Sequence, residues 1–158
     1  MKLSKYPLAL ALGTIAIIGL TGRPASAQLA MPTCAITSSS SIAFGSYSVF
    51  NASPTDSTGT IAFICSNASG PVTISLTGVQ PTGTRKFMNG ADVLTYHVFT
   101  DAARTRPWGD GTFGAAAASF STPTNNTTVT AVMYGRIFAR QDVAFGAYSD
   151  SLVATISF

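Results

Sequence analysis

Charge is scarce in this chain: lysine, arginine, aspartate and glutamate together make up 9% of it. Histidine and tryptophan occur once each, as His97 and Trp108, and cysteine twice, as Cys34 and Cys65. Each shortage excludes something. A lone histidine has no partner for metal or nucleophile chemistry, and two cysteines with that distant histidine make no ligand set. No G-x-S-x-G, H-E-x-x-H, P-loop or dinucleotide fingerprint occurs. No catalytic residue, metal ligand or cofactor is therefore expected. Apolar residues do not recur at helical spacing beyond the first 27 positions. No apolar run reaches the roughly 20 residues that a membrane span needs.

The chain opens as an export signal. Lys2 and Lys5 form a positive start, Leu8 to Leu20 an uncharged apolar core, and Arg23-Pro24 a break. Ala25-Ser26-Ala27 then fits the small-x-small cleavage pattern. Residues 1–27 are read as a secretory leader, cut before Gln28, and no membrane insertion of the mature chain is expected. The leader holds Lys2, Lys5 and Arg23 and no acid. The mature chain has six basic and six acidic residues, which cancel. The basic character of the whole sequence thus belongs to the leader and gives no support for nucleic-acid binding. A near-neutral surface favours self-association.

About 130 residues after cleavage make one domain with one core. In an oxidising compartment Cys34 and Cys65 are expected to be joined. Such a link, closing about 30 residues, stabilises by roughly 3–4 kcal/mol in the chain-entropy model.

Strands are predicted at Ile42–Gly45, Gly59–Cys65, Val72–Thr77, Val93–Thr100, Thr127–Phe138 and the end of the chain. Turn chemistry stands between them at Ser53-Pro54-Thr55-Asp56, Asn67–Pro71 and Pro81–Gly83. Inward sets are Ile61, Phe63 and Cys65; Val72, Ile74 and Leu76; and Leu94, Tyr96 and Val98. His97 shares the opposite face with Thr95 and Phe99 and is expected at the surface. In the last strand Leu152, Ala154, Ile156 and Phe158 share one face, against Val153, Thr155 and Ser157. Short strands with turns between them argue for a β-sandwich. Six strands are counted, where an immunoglobulin-like sandwich has seven. A final strand that ends the chain exposes an open edge unless something covers it.

Leu94-Thr95-Tyr96-His97-Val98-Phe99-Thr100-Asp101 and its continuation Ala102-Ala103-Arg104-Thr105-Arg106-Pro107-Trp108-Gly109-Asp110-Gly111-Thr112 resemble the signature of the spore coat protein U domain. Subunits of archaic chaperone–usher pili share that domain. Ile42-Ala43-Phe44-Gly45-Ser46-Tyr47, Met88-Asn89-Gly90 and Gly146-Ala147-Tyr148-Ser149-Asp150 match in order, and the resemblance covers residues 34–158.

The resemblance implies an all-β, incomplete immunoglobulin-like sandwich that lacks its last strand and is completed by a donor strand from a partner. It implies a non-enzymatic surface pilus subunit with a periplasmic chaperone, an outer-membrane usher and neighbouring subunits as partners. The chain would pass through the periplasm to the cell surface. The groove beside Leu152, Ala154, Ile156 and Phe158 would take the donor strand and contact the chaperone, which would also hold the carboxylate of Phe158. The arm 28–33, Gln28-Leu29-Ala30-Met31-Pro32-Thr33, is short for a donor. Six residues span at most about 20 Å, and Pro32 cannot donate to a ladder. A subunit that accepts a strand without donating one, at a fibre tip, fits that arm. The alternative is a secreted spore coat or matrix protein that does not polymerise by strand exchange.

The signature loop also admits an enzyme or sugar-binding reading. Asp101 and Asp110 could pair as acid and base, and Trp108 could stack on a sugar. The favoured reading is structural. Asp101 bonds its own backbone, Asp110-Gly111 makes a turn, Arg104 pairs with a carboxylate, and Trp108, followed in the signature by Gly109, anchors the loop.

Overall fold

The computed structural model describes residues 30–80 and 83–158. The leader, the first two residues of the arm, and Pro81 and Thr82 of one expected turn lie outside the described residues.

Eight strands form two sheets. They are β1 (Thr33–Ser40), β2 (Thr55–Ser66), β3 (Val72–Leu76), β4 (Arg85–Asn89), β5 (Asp92–Phe99), β6 (Ala118–Phe120), β7 (Thr128–Ile137) and β8 (Ala154–Ser157). The larger sheet runs β1-β2-β7-β5-β4 and the smaller β6-β3-β8, and every pairing within them is antiparallel.

Strict alternation makes the central strands. In β2, Ile61, Phe63 and Cys65 are buried while Thr60, Ala62 and Ile64 are only half-buried. In β3, Val72, Ile74 and Leu76 point inward, and in β7 Ala131, Met133 and Ile137 do so. These sets meet between the sheets as one core, with Phe63 edge-on to Phe120 at 5.2 Å between ring centres. Burying such side chains stabilises by about 1.5–3 kcal/mol each for the larger ones. The disulfide Cys34–Cys65 ties β1 to β2 where the two residues face each other in register.

Three strand expectations need correction. The serine run forms β1, and the stretch 42–45 forms no strand. β1 is an edge strand with exposed side chains, so no inward face marks it; its ladder to β2 makes it a strand. Ile42 and Phe44 still pack against the core, as a loop. β4 escapes a periodicity reading because one of its inward positions is Arg85, fully buried, next to Phe87. β6 has three residues, too few to show a period. Among the described residues the count is eight strands, not six.

Phe99 is also not on an open face. It is buried, because Pro107 pairs with it across the start of the signature loop and its ring stacks on His97. His97 is half-buried between Phe99 and Phe138, and its Nδ1 has no hydrogen-bond partner. Burial, with a smaller contribution from Arg85, holds its imidazole below the ordinary value.

Candidate functional site

β8 is hydrogen-bonded to β3 and to no other strand among the described residues, and β1 only to β2. Each therefore ends its sheet, and the two edges lie near each other. Between them opens a cleft of about 270 Å³. One wall is Ser39, Ser40, Ser41 and Ile42; the other is Asp150, Leu152 and Ala154. Core residues form its floor: Ile61, Leu76, Phe87, Tyr96 and Met133. A sandwich with a continuous row of strands would close such a gap. Here apolar side chains of the core are reachable beside two rows of unpaired backbone groups.

The four residues of the last strand stand differently. Leu152, Ala154 and Ile156 are half-buried against the core, and Leu152 and Ala154 line the cleft. Phe158 is 56% exposed, beyond the last pairing of β8, Ser157 with Thr73. The regular strand begins only at Ala154, although Val153 already accepts a bond from Thr77 N–H at 3.0 Å.

Two features beside the cleft are not visible in the alternation of the sequence. The first is Arg85. Its guanidinium donates to the carbonyl oxygens of Leu76 and Trp108 at 3.2 and 2.9 Å, and to that of Thr77. A buried cation is retained only when such bonds replace water. It joins β4, the end of β3 and the signature loop. Its burial against the solvent lowers its pKa from the ordinary arginine value. The second is Tyr96, whose hydroxyl donates to Asp150 at 2.7 Å across 54 residues. Burial first, then this bond to a carboxylate, raises the phenol well above its ordinary value. The motif containing Asp150 was the one signal for it in the sequence.

The signature loop is a structural unit. Trp108 is buried, with its indole N–H on the carbonyl of Ile74. It is closed off from any sugar. Gly109 is needed for close approach: a Cβ there would sit 2.6 Å from the Cβ of Ala115 and 2.7 Å from its carbonyl oxygen. Gly111 has φ +97, in the region that favours glycine. Asp101 accepts from the N–H groups of Thr105 and Arg106 and from the Thr105 hydroxyl. Asp110 accepts from the N–H and hydroxyl of Thr112, which hold its carboxyl below the ordinary range. The two carboxylates share no hydrogen-bond partner, and neither lines the cleft. Arg104 reaches Asp56 at 3.4 Å and lies over the Tyr134 ring at 5.9 Å. Its carboxylate partner is thus on β2, while its guanidinium also donates to the carbonyls of Ala102 in its own loop and Gly135 on β7, at 3.2 and 3.4 Å.

Among the described residues no group of three or more His, Cys, Asp or Glu is placed to hold a metal. No helix among them is long and apolar enough to cross a membrane.

No curated protein matches the chain. Among solved structures, it is similar to a chain in the crystal structure of the CsuC–CsuE chaperone–tip adhesion subunit pre-assembly complex, from the archaic chaperone–usher Csu pili of Acinetobacter baumannii. The TM-score is 0.56 and the identity 21%, over 81% of this chain and 40% of that one. The likeness is one of fold: an all-β, immunoglobulin-like sandwich. The chain spans less than half the length of that relative. The model of the Spore Coat Protein U domain matches residues 21–155, from before the first strand into β8. This chain belongs to the spore coat protein U domain family.

Proposed function

We propose that this chain is an exported structural subunit of a surface pilus, non-enzymatic, delivered by a periplasmic chaperone and an outer-membrane usher. A strand from a partner completes its sandwich by adding to the free edge of β8. One observation carries the reading: two unpaired strand edges, β1 and β8, flank a cleft floored by the core. Ladder bonds to β8 would supply affinity that is independent of sequence, and the cleft would read alternate side chains. Family membership and the fold shared with a chain of a chaperone–subunit complex support it.

Leu152, Ala154 and Ile156 are the docking residues in this reading, with Phe158 as the chaperone's handle. Thr33 is already paired in β1, and Pro32 before it cannot donate to a ladder. With cleavage after Ala27, the short arm supports a place at the fibre tip, where a strand is accepted and none is given.

The test is co-expression with a periplasmic chaperone from the gene's neighbourhood, followed by size measurement of the complex. Ile156→Asp places an unpaired charge against the core, at a cost of several kcal/mol. It should abolish the complex, as should deletion of Ser157-Phe158, while Thr155→Ser should leave it intact. A mature chain that is soluble, two-state and monomeric without a partner would instead support the secreted coat protein.

A further inference from the structure

We infer that the Asp150 end of the cleft is a polar subsite that selects the donor strand. It takes a side chain with an apolar stem and a hydrogen-bond-donating cationic tip, lysine or arginine, at one inward position. The inference rests on the proposed strand-acceptor function and adds the chemistry of the donor.

Most of the cleft is apolar, with Ile61, Leu76, Met133 and Leu152 in its lining. Asp150 is the one charged residue there. Its carboxylate is held in place. Oδ2 accepts from the buried Tyr96 hydroxyl and Oδ1 from Ser151 N–H, each at 2.7 Å. A carboxylate has about four acceptor sites, so each oxygen retains one. No ion pair uses them: the salt bridges among the described residues both go to Asp56. Arg85 acts on Asp150 only through space, since its bonds go to the carbonyls of Leu76, Thr77 and Trp108.

A donor strand lying over this cleft displaces water from Asp150. A wholly apolar side chain at that position would leave the free acceptor sites with nothing in exchange. A lysine or arginine covers the apolar lining with its stem and brings donors to the carboxylate with its head. An acidic side chain would meet like charge. The arm 28–33 carries no lysine or arginine. The fitting donor is therefore a different polypeptide and not the arm of a second copy.

The test uses the full exported chain recovered from the periplasm with its chaperone, whose strand the peptides must replace in the cleft. Fluorescent peptides of alternating valine and threonine carry lysine, norleucine or glutamate at each inward position in turn. At one position lysine should bind about tenfold more tightly than norleucine, a difference of about 1.4 kcal/mol, with glutamate weakest. Added salt should shrink that preference, and Asp150→Asn should remove it. Peptides that bind with lysine and norleucine equal at every position would overturn the subsite and leave the acceptor cleft standing. A lysine preference that persists in Asp150→Asn would overturn it too. If no peptide binds, the acceptor cleft itself fails. If Asp150→Asn does not fold, the lysine-to-norleucine comparison in the unaltered chain decides alone.

Discussion

The indole N–H of Trp108 donates to the carbonyl oxygen of Ile74 at 2.8 Å, which joins the signature loop to the middle strand of the smaller sheet. Ile74 in turn pairs with Ile156 of β8. The loop therefore supports the strand beside the cleft. Trp108→Phe keeps an aromatic ring and removes the donor, and should cost about 1–3 kcal/mol. Trp108→Ala should cost about 3–5 kcal/mol. Denaturant midpoints at constant slope would show both. A Trp108→Ala protein as stable as the parent would disprove the anchoring role.

The neighbouring glycine gives a second check on the same packing. Gly109→Ala would bring a methyl group within 2.6 Å of the Ala115 Cβ and 2.9 Å of a Val79 methyl. One of those atoms sits on a short, rigid side chain, so the backbone must yield. We expect a loss of about 1–3 kcal/mol, seen as a lower thermal midpoint. The companion Gly70→Ala, where a Cβ meets nothing within 4 Å, should have a much smaller effect.

The link between Cys34 and Cys65 joins strands that are already paired, 31 residues apart in sequence. Cys65→Ala should lower stability by roughly 3–4 kcal/mol. For a domain with a normal margin of about 5–15 kcal/mol, exported yield should fall sharply. Thiol titration of the native exported protein should find no free thiol.

Acid should weaken one ion pair in a defined direction. Arg136 binds Asp56 through two bonds of 2.7 and 2.8 Å. That bonding, with the nearby Arg104 charge, holds the Asp56 carboxyl below its ordinary value. A carboxyl lowered on folding stabilises above its unfolded value, about 3.9, and the gain is lost as pH falls through the folded value. The pair is partly open to water, so the gain is modest, up to about 1 kcal/mol. Asp56→Asn should be less stable than the parent at neutral pH. The two should converge once the pH has fallen through the folded value of Asp56. Equal midpoints at neutral pH would show that the pair contributes nothing.

Much of this protein was legible in its residues alone. Alternation marks β2, β3, β5 and β7 because each of these strands buries one face, and a period of two records that directly. Two cysteines in an exported chain pointed to their link, and the long signature pointed to the family. The tertiary structure decided the rest. The serines of β1 carry no apolar face, so only pairing with β2 makes them a strand. Arg85 breaks the pattern of β4 because the carbonyls to which its guanidinium donates come from β3 and the signature loop. Asp150 meets Tyr96, and Arg104 meets Asp56, across 54 and 48 residues. Periodicity is local and shows which face of a strand is buried. Which strands lie at the edges, and which distant polar groups satisfy one another, depends on the segments that folding brings together.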